Sequence, residues 1–487
     1  MSAAPPAIRL TRAALRAAGR AVPRPPVRIV HIGVGAFTRA HQTWYTAHAA
    51  DAAHWGIVGF TGRRSGTADR LAAQDGLYML VERGPAGDRH EVVPNLVAVH
   101  PGDRADVLTA ALSAPGTAVV TLTITESGYR VRPDGGPDLA DPVVRADIDR
   151  LRAAAAGPGL AVARPVSALG RLLPGLAARR QAGAPPVAIV PCDNIPANGA
   201  FLRRALTGLA AEVAPALAAW VERDVAFVST SVDRITPRIG EQDVREIAEA
   251  TGWDDAAPVI TEPFADWVLC GDFPAGRPAW ETRGARFVGD IAPYEARKLW
   301  TLNAAHTLLA SLGRLRGHRT VAEAIADPVC RAGVERLWDD AERHLPAGLG
   351  IPGYRRALLA RFGNRRIEHP LAQIAADELT KLRLRVVPVA ERELARGRSA
   401  AGCALPVAAW IATVTAGQGS GSQEPPEVAR ARTAPSPHTA LLAALSPDLA
   451  ADERFRRQVA EALRTLPATP VRNHAPNPDS AEKGTHR

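Results

Sequence analysis

The chain has 487 residues, 46% of them hydrophobic, enough to bury a large core and to form two domains or more. Four cysteines (Cys192, Cys270, Cys330, Cys403) lie far apart with no Cys-x-x-Cys pair. That pattern argues against a zinc ribbon or a disulfide scaffold and fits a reducing cytoplasm. The net charge of +9 comes from scattered arginines with no long basic run and no interleaved aromatics, so it reads as a cationic surface rather than a nucleic-acid footprint.

In chain order, residues 1–26 are rich in arginine and lack acids, as transit peptides do. The stretch from Thr11 to Gly19, however, reads as a short capped helix ending at glycine, and the helix is the better reading. Residues 27–33 form a buried apolar strand that runs into Gly33-Val34-Gly35-Ala36-Phe37-Thr38. Two glycines permit a tight turn and a close approach to a pyrophosphate, whose charge is met by free N–H groups at the following helix start. Thr38 stands where the usual fingerprint has a third glycine. A second strand at 55–59 ends where a ribose-reading residue belongs, and Arg63 and Arg64 follow with no acid before Asp69. That leaves NAD and NADP both open. The cofactor-binding candidates are Gly33, Gly35, Ala36, Phe37 and Arg63.

Further strands at 118–124, 187–190 and 225–229 alternate with alanine-rich helical segments, the pattern of a parallel sheet with crossover helices. Their ends carry polar residues: Thr125-Glu126-Ser127, Pro191-Cys192-Asp193-Asn194 and Ser231-Val232-Asp233-Arg234. Ligands of open α/β sheets sit at the carboxyl ends of strands. Asn194 is a site candidate by this placement, although it could also cap a turn before Pro196. Asp233 is either a site residue or the ion-pair partner of Arg234.

From about Tyr294 helical patterns dominate, expected at 294–315, 320–344, 353–361, 368–382 and 406–416. The domain boundary falls near 285, giving 1–285 and 286–487, and 466–487 reads as a disordered tail. An uncharged stretch at 399–423 is too weakly apolar for a membrane span and reads as a buried helix starting near Pro406.

Only three lysines occur, so 56 of the 59 basic residues are arginine. A guanidinium stays protonated at any working pH, whereas a buried ε-amine can lose its proton and serve as a base. One of the three, Lys298, lies in Lys298-Leu-Trp-Thr-Leu-Asn303-Ala-Ala-His306, which also holds one of only seven asparagines. On a regular helix residues 298 and 306 are about 80° apart and 303 and 306 about 60°, so the lysine and histidine share a face with the asparagine beside it. Glu295, one turn earlier, favours the charged amine while desolvation favours the neutral one, a balance that could hold Lys298 near neutrality. His306 alone would read as a core histidine; next to Lys298 and Asn303 it reads as functional.

Eight ordered stretches resemble the mannitol dehydrogenase family: HIGVGAFTRAHQ (31–42), QDGLYMLVER (74–83), TLTITESGY (121–129), PCDNIPANG (191–199), SVDRITPR (231–238), ITEPFADWVL (260–269), PYEARKLWTLNAAH (293–306) and HPLAQIAADELTK (369–381). The resemblance implies an α/β protein, with a Rossmann-type doubly wound sheet in the N-terminal domain and a mainly α-helical C-terminal domain. It implies metal-free hydride transfer between C2 of a sugar alcohol or sugar acid and NAD or NADP, with no nucleic-acid or membrane partner. By the family pattern Lys298 would be the general base, and Asn194 and Asn303 would hold the alkoxide. His306 and Lys381 would hold substrate hydroxyls, Asp233 would orient them, and Glu295 would tune or relay the proton.

The chain departs from the family where Asp377-Glu378-Leu379 replaces Asp-Gly-Ser and Asn364-Arg365 replaces Asn-Pro, near the expected far end of the substrate. A polyol of the mannitol type leads the substrate expectations and a hexuronate follows. A catalytically silent dinucleotide-binding sensor or scaffold would be expected to have lost Lys298, Asn194 or Asn303, and all three are present.

Overall fold

The apolar runs of the first half become strands because both of their faces are covered. In the computed structural model, which describes residues 7–62, 66–417 and 424–467, six parallel strands lie side by side. Their order is Leu96–His100, Gly56–Phe60, Val27–Ile32, Val119–Leu122, Val187–Pro191 and Val225–Phe227. This is the doubly wound, Rossmann-type order, and the direction of winding reverses between Val27–Ile32 and Val119–Leu122. Alternate side chains serve opposite cores: Val30, Ile32, Val58, Val120, Leu122 and Ile189 face one, while Ile29, Ile57, Val119, Ala188 and Val190 face the other. With both faces buried, the strands read as unbroken hydrophobic runs. Each large aliphatic side chain so buried contributes roughly 1.5–3 kcal/mol over an exposed one.

The chain divides into two units, Met1–Ala292 and Pro293–Arg487. In the first, the strand expected at 225–229 is two strands. Val225–Phe227 closes the six-stranded sheet, whereas Ser229–Asp233 leaves it to pair with Asp266–Cys270 in a separate sheet. A hairpin not expected from the sequence, Tyr78–Gly84 with Gly87–Val93, carries Val259–Thr261 on its other edge. At the N-terminus, Thr11 caps helix Arg12–Ala17 by accepting from the Ala14 amide at 3.1 Å, as expected.

The second unit is helical, with boundaries that differ from expectation for identifiable reasons. The helix expected at 320–344 is Val321–Ala326 and Pro328–Glu342, because Pro328 disfavours a helical Asp327, whose Oδ1 instead accepts from the Val329 amide at 2.8 Å. The helix expected at 368–382 is Leu371–Ile374 and Glu378–Arg385, parted at Asp377 with φ +57°. The helix expected from Pro406 starts a turn earlier, as Ala401–Thr415: Asp340 Oδ2 accepts from the Cys403 amide at 3.0 Å. Gly402 permits the helix crossing there, since a Cβ would stand 2.3 Å from the Arg336 carbonyl. Helices Val387–Ala395, Pro426–Arg432, Pro437–Leu445 and Glu453–Thr465 add to the unit, the last packing Phe455 and Val459 inward beside Ala401–Thr415. Among the described residues no helix is long and apolar enough to cross a membrane. Most of the expected 466–487 tail lies outside them.

Candidate active-site residues

The glycine turn sits where the strand order reverses. Gly33 has φ +101°, and a Cβ there would lie 2.2 Å from the Thr123 carbonyl oxygen, so the position admits only glycine. Gly35 is different: a Cβ would meet nothing nearer than 3.8 Å, so its face is open and backbone can be approached closely. Gly35 then caps helix Ala36–Ala40, which begins with Ala36 and Phe37. A glycine turn with an open face and a helix start without a side-chain cap fits a dinucleotide phosphate. Arg63, expected to read the ribose end, lies outside the described residues.

The hydrogen-bond network that holds this turn was not expected from the sequence. Thr38, in place of a third glycine, is fully buried and shares its hydroxyl with His31 Nε2 at 2.8 Å and Thr123 Oγ1 at 2.7 Å. Thr123 Oγ1 in turn donates to the Gly33 carbonyl at 2.7 Å, and His31 Nδ1 meets Thr121 Oγ1 at 2.8 Å. Burial pushes the His31 pKa down to about 3, so the imidazole is neutral and gives one donor and one acceptor to the network. Arg39 Nε donates to the Gly35 carbonyl at 3.1 Å from beneath. The available signal was the coincidence of His31, Thr121 and Thr123 at two strand ends with Thr38 on the helix that follows the first.

Asn194 is exposed at the end of strand Val187–Pro191. Its loop is pinned by Asp193, whose carboxylate accepts from the Tyr129 hydroxyl, from the Ile195 amide at 3.1 Å and from Asn198 Nδ2 at 3.2 Å. Burial raises the Asp193 pKa and these bonds oppose the rise. Asn198 Oδ1 also accepts from the Thr230 amide at 2.8 Å, tying the Asn194 loop to strand Ser229–Asp233. Asp233 is buried at the end of that strand. The ion pair of Arg234 is with Glu82, at 2.6 Å.

In the second unit the helix expected at 294–315 is irregular. It runs as α-helix over Ala292–Arg297, as π-helix over Lys298–Asn303, as α-helix over Ala304–Leu308 and as π-helix again over Leu309–Gly313. The angles reckoned for a regular helix therefore do not apply between 298 and 303, because i→i+5 hydrogen bonding winds a wider turn. Glu295, Lys298, Asn303 and His306 are all half-buried on this one continuous helix. His306 stacks near Phe362 and His369, with ring centroids 4.9 and 5.0 Å away. Its Nε2 is shut off from solvent and has no hydrogen-bond partner among the described residues. Burial, then His369, Arg361, Arg385 and Lys381, hold the His306 pKa well below the usual imidazole value.

Lys381, on helix Glu378–Arg385, donates Nζ to the Ile374 carbonyl at 2.8 Å and to the Ala376 carbonyl. Burial lowers its pKa, and an ammonium retains a third donor. His318, Asp327 and Cys330 bring ligand-type atoms within 4.8 Å of one another. Asp327 Oδ2 is already held by Arg316 at 2.6 Å and His318 at 2.9 Å, and burial pushes the Cys330 thiol up to about 12, so this group reads as a charged helix cap.

Known proteins are similar to this chain over most of its length. Residues 27–282 match the model described as the mannitol dehydrogenase Rossmann domain, and residues 290–466 match the mannitol dehydrogenase C-terminal domain. The chain is 35% identical to the D-mannonate oxidoreductase of Escherichia coli (strain K12) over 395 residues, 79% of each protein. It is 38% identical over 391 residues to the mannitol 2-dehydrogenase of Cereibacter sphaeroides, covering 78% of this chain and 80% of that one. The solved ternary complex of Pseudomonas fluorescens mannitol 2-dehydrogenase with NAD and D-mannitol superposes with a TM-score of 0.73 at 31% identity, over 94% of each chain.

Proposed function

The chain belongs to the mannitol dehydrogenase family and is an NAD(P)-dependent oxidoreductase acting on the CH–OH group of a polyol or aldonate, and from that premise we propose a polyol 2-dehydrogenase of the mannitol and fructose type with Lys298 as general base and no metal ion. The bound dinucleotide supplies a hydride acceptor at its nicotinamide ring. Lys298, as the neutral amine, takes the proton of the C2 hydroxyl. Asn303 and Asn194 donate amide N–H groups to that oxygen as it gains negative charge. His306 and Lys381 hold further hydroxyls, Asp233 orients them, and Glu295 relays or tunes the proton on Lys298. The observation that carries the reading is the neutral, unmatched Nε2 of His306 on the helix that bears Lys298 and Asn303. A polyhydroxylated substrate offers such a nitrogen its missing partner.

One observation favours an acidic substrate as the second reading. The charges bearing on His306 include Arg361, Arg385 and Lys381, and such a cationic neighbourhood suits a carboxylate, as on D-mannonate and D-fructuronate. Initial rates with mannitol, arabinitol, sorbitol and mannonate, each with NAD⁺ and NADP⁺, separate the two. The expected outcome is the highest kcat/KM for mannitol. A preference of about tenfold or more for mannonate, worth about 1.4 kcal/mol in transition-state binding, would move the assignment to the acid. No turnover of any of the four by protein that binds the dinucleotide would overturn both substrate readings.

A further inference from the structure

We propose that the π-helical turn Lys298–Asn303 is the device that brings base and alkoxide donor to one face of their helix, and that Arg385 is the positioning residue that holds it. The proposal rests on the reading of Lys298 and Asn303 above. Residues five apart on a regular α-helix point about 140° from each other, so a lysine and an asparagine with that spacing could not both meet one C–O group. In a π turn the hydrogen bond runs from i to i+5, which returns residue i+5 to a position over residue i. The spacing that looks wrong in sequence becomes right when the helix widens by one residue.

A wide turn leaves backbone carbonyls poorly matched, and side chains take them up here. Thr301 Oγ1 donates to the Arg297 carbonyl at 2.6 Å, and Trp338 Nε1 donates to the Thr301 carbonyl at 2.9 Å. At the last residue of the turn, the Asn303 carbonyl accepts from Thr307 Oγ1 at 3.1 Å and from Arg385 Nη1 at 3.2 Å, and the same Nη1 also donates to Thr307 Oγ1 at 3.0 Å. Trp338 is fully buried and serves the core as well, so its replacement would disturb far more than the turn. Arg385 can be altered at its tip.

The helix that carries Arg385 is fastened at its other end too. Glu378 Oε1 accepts from Ser311 Oγ at 2.8 Å, and Ser311 lies in the second π-helical segment, Leu309–Gly313. Glu378–Arg385 thus splints the Lys298 helix at two points, with one fastening on each irregular segment. Glu378 is also where the chain departs from the glycine of its family pattern. Burial draws the Arg385 pKa down to about 10, which leaves the guanidinium charged at neutral pH and its bond to the Asn303 carbonyl charge-assisted.

The test compares full-length wild type, Arg385→Met, Arg385→Lys, Thr307→Val and Lys298→Ala, using the best substrate of the panel with NAD⁺. The readouts are kcat and KM, the pH profile of kcat, the Kd for NAD⁺ and Tm. Arg385→Met is expected to lower kcat by about 10- to 100-fold and to displace the apparent pKa in the kcat profile, with the Kd for NAD⁺ within about twofold of wild type. Arg385→Lys is expected to restore part of both. Thr307→Val, which removes the shared hydroxyl at nearly constant volume, is expected to act in the same direction at smaller size and covers the case in which Arg385→Met does not fold. An unchanged kcat and pH profile in the folded variants overturns the proposal, as does a rise in KM alone, which would make Arg385 a substrate contact. If Lys298→Ala turned over at the wild-type rate, the underlying reading would fail; an inactive Lys298→Ala beside a normal Arg385→Met would remove only the positioning role.

Discussion

The glycine turn of the first unit and the π turn of the second reach defined geometry by opposite means. At Gly33 the backbone is fixed by exclusion: φ is +101°, a Cβ would strike the Thr123 carbonyl at 2.2 Å, and a ring of neutral polar groups around His31 fills the space behind. At Lys298–Asn303 any residue type could adopt the turn, and side-chain bonds from Trp338 and Arg385 take up its carbonyls. In the function proposed above, the first region presents backbone to the dinucleotide, so its chemistry is shape. The second presents side chains to the substrate, so its chemistry is residue identity and the angle between residues. Variants should split accordingly, with affinity and stability changing in the first region and the chemical step in the second.

The sharpest break of that comparison is Lys298→Ala. Loss of the proposed general base is expected to lower kcat by about 10²–10⁴-fold while the Kd for NAD⁺ stays near wild type, measured by stopped-flow hydride transfer and by fluorescence titration. Wild-type transfer rates would show that the proton goes elsewhere.

Gly33→Ala tests the other side at smaller magnitude. Forcing a side chain into the positive-φ turn against Thr123 costs about 1–3 kcal/mol, expected as a lower Tm and a weakened Kd for NAD⁺. The split predicts that kcat at saturating NAD⁺ changes little by comparison. A kcat loss matching that of Lys298→Ala would mean that the two regions do not act separately.

Legibility followed the same divide. Strand Val27–Ile32 and its glycine turn were readable because a strand buried on both faces must be apolar throughout and the turn admits no Cβ. Lys298, Asn194 and Asn303 stood out as residue types because lysine and asparagine are rare in this chain. The π turn was not readable. Its bonds come from Trp338, 37 residues from Thr301, and from Arg385, 82 residues from Asn303, so nothing local distinguishes the segment from an α-helix. The early start of Ala401–Thr415 was hidden for the same reason, since its amide partner, Asp340, lies 63 residues from Cys403. The hairpin Tyr78–Gly84 was obscured by Glu82 and Arg83, whose charges make sense only once Arg89 pairs with Glu82 and Asp88 with Arg83 across the turn.

Mild acid offers the smallest and most discriminating contrast. His31 in the first unit is held down to about 3, while in the second His369 is held down to about 4 and His306 well below its ordinary value, all chiefly by burial. In the unfolded chain each would take a proton near 6.5, so between that value and the folded pKa the unfolded state binds more protons. Stability therefore falls as pH falls, by up to about 1.4 kcal/mol per pH unit for each histidine. The window from about pH 6.5 to pH 5 lies above the range in which unfolded carboxylates titrate, and the buried carboxylates whose folded pKa is raised, which act with the opposite sign, number two in each unit: Asp193 and Asp255 in the first, Asp340 and Glu378 in the second. His100 in the first unit and His344 in the second are lowered by burial as well, so two such groups stand in the first unit against three in the second, which predicts that the helical unit loses protection first. Amide hydrogen exchange at pH 7 and pH 5, normalised for intrinsic rates, reads each unit separately. Equal loss in both units would mean that the polar cage around His31 is as vulnerable to a proton as the His306–His369 pair, and that the rigidity ascribed to the glycine turn does not extend to the network behind it.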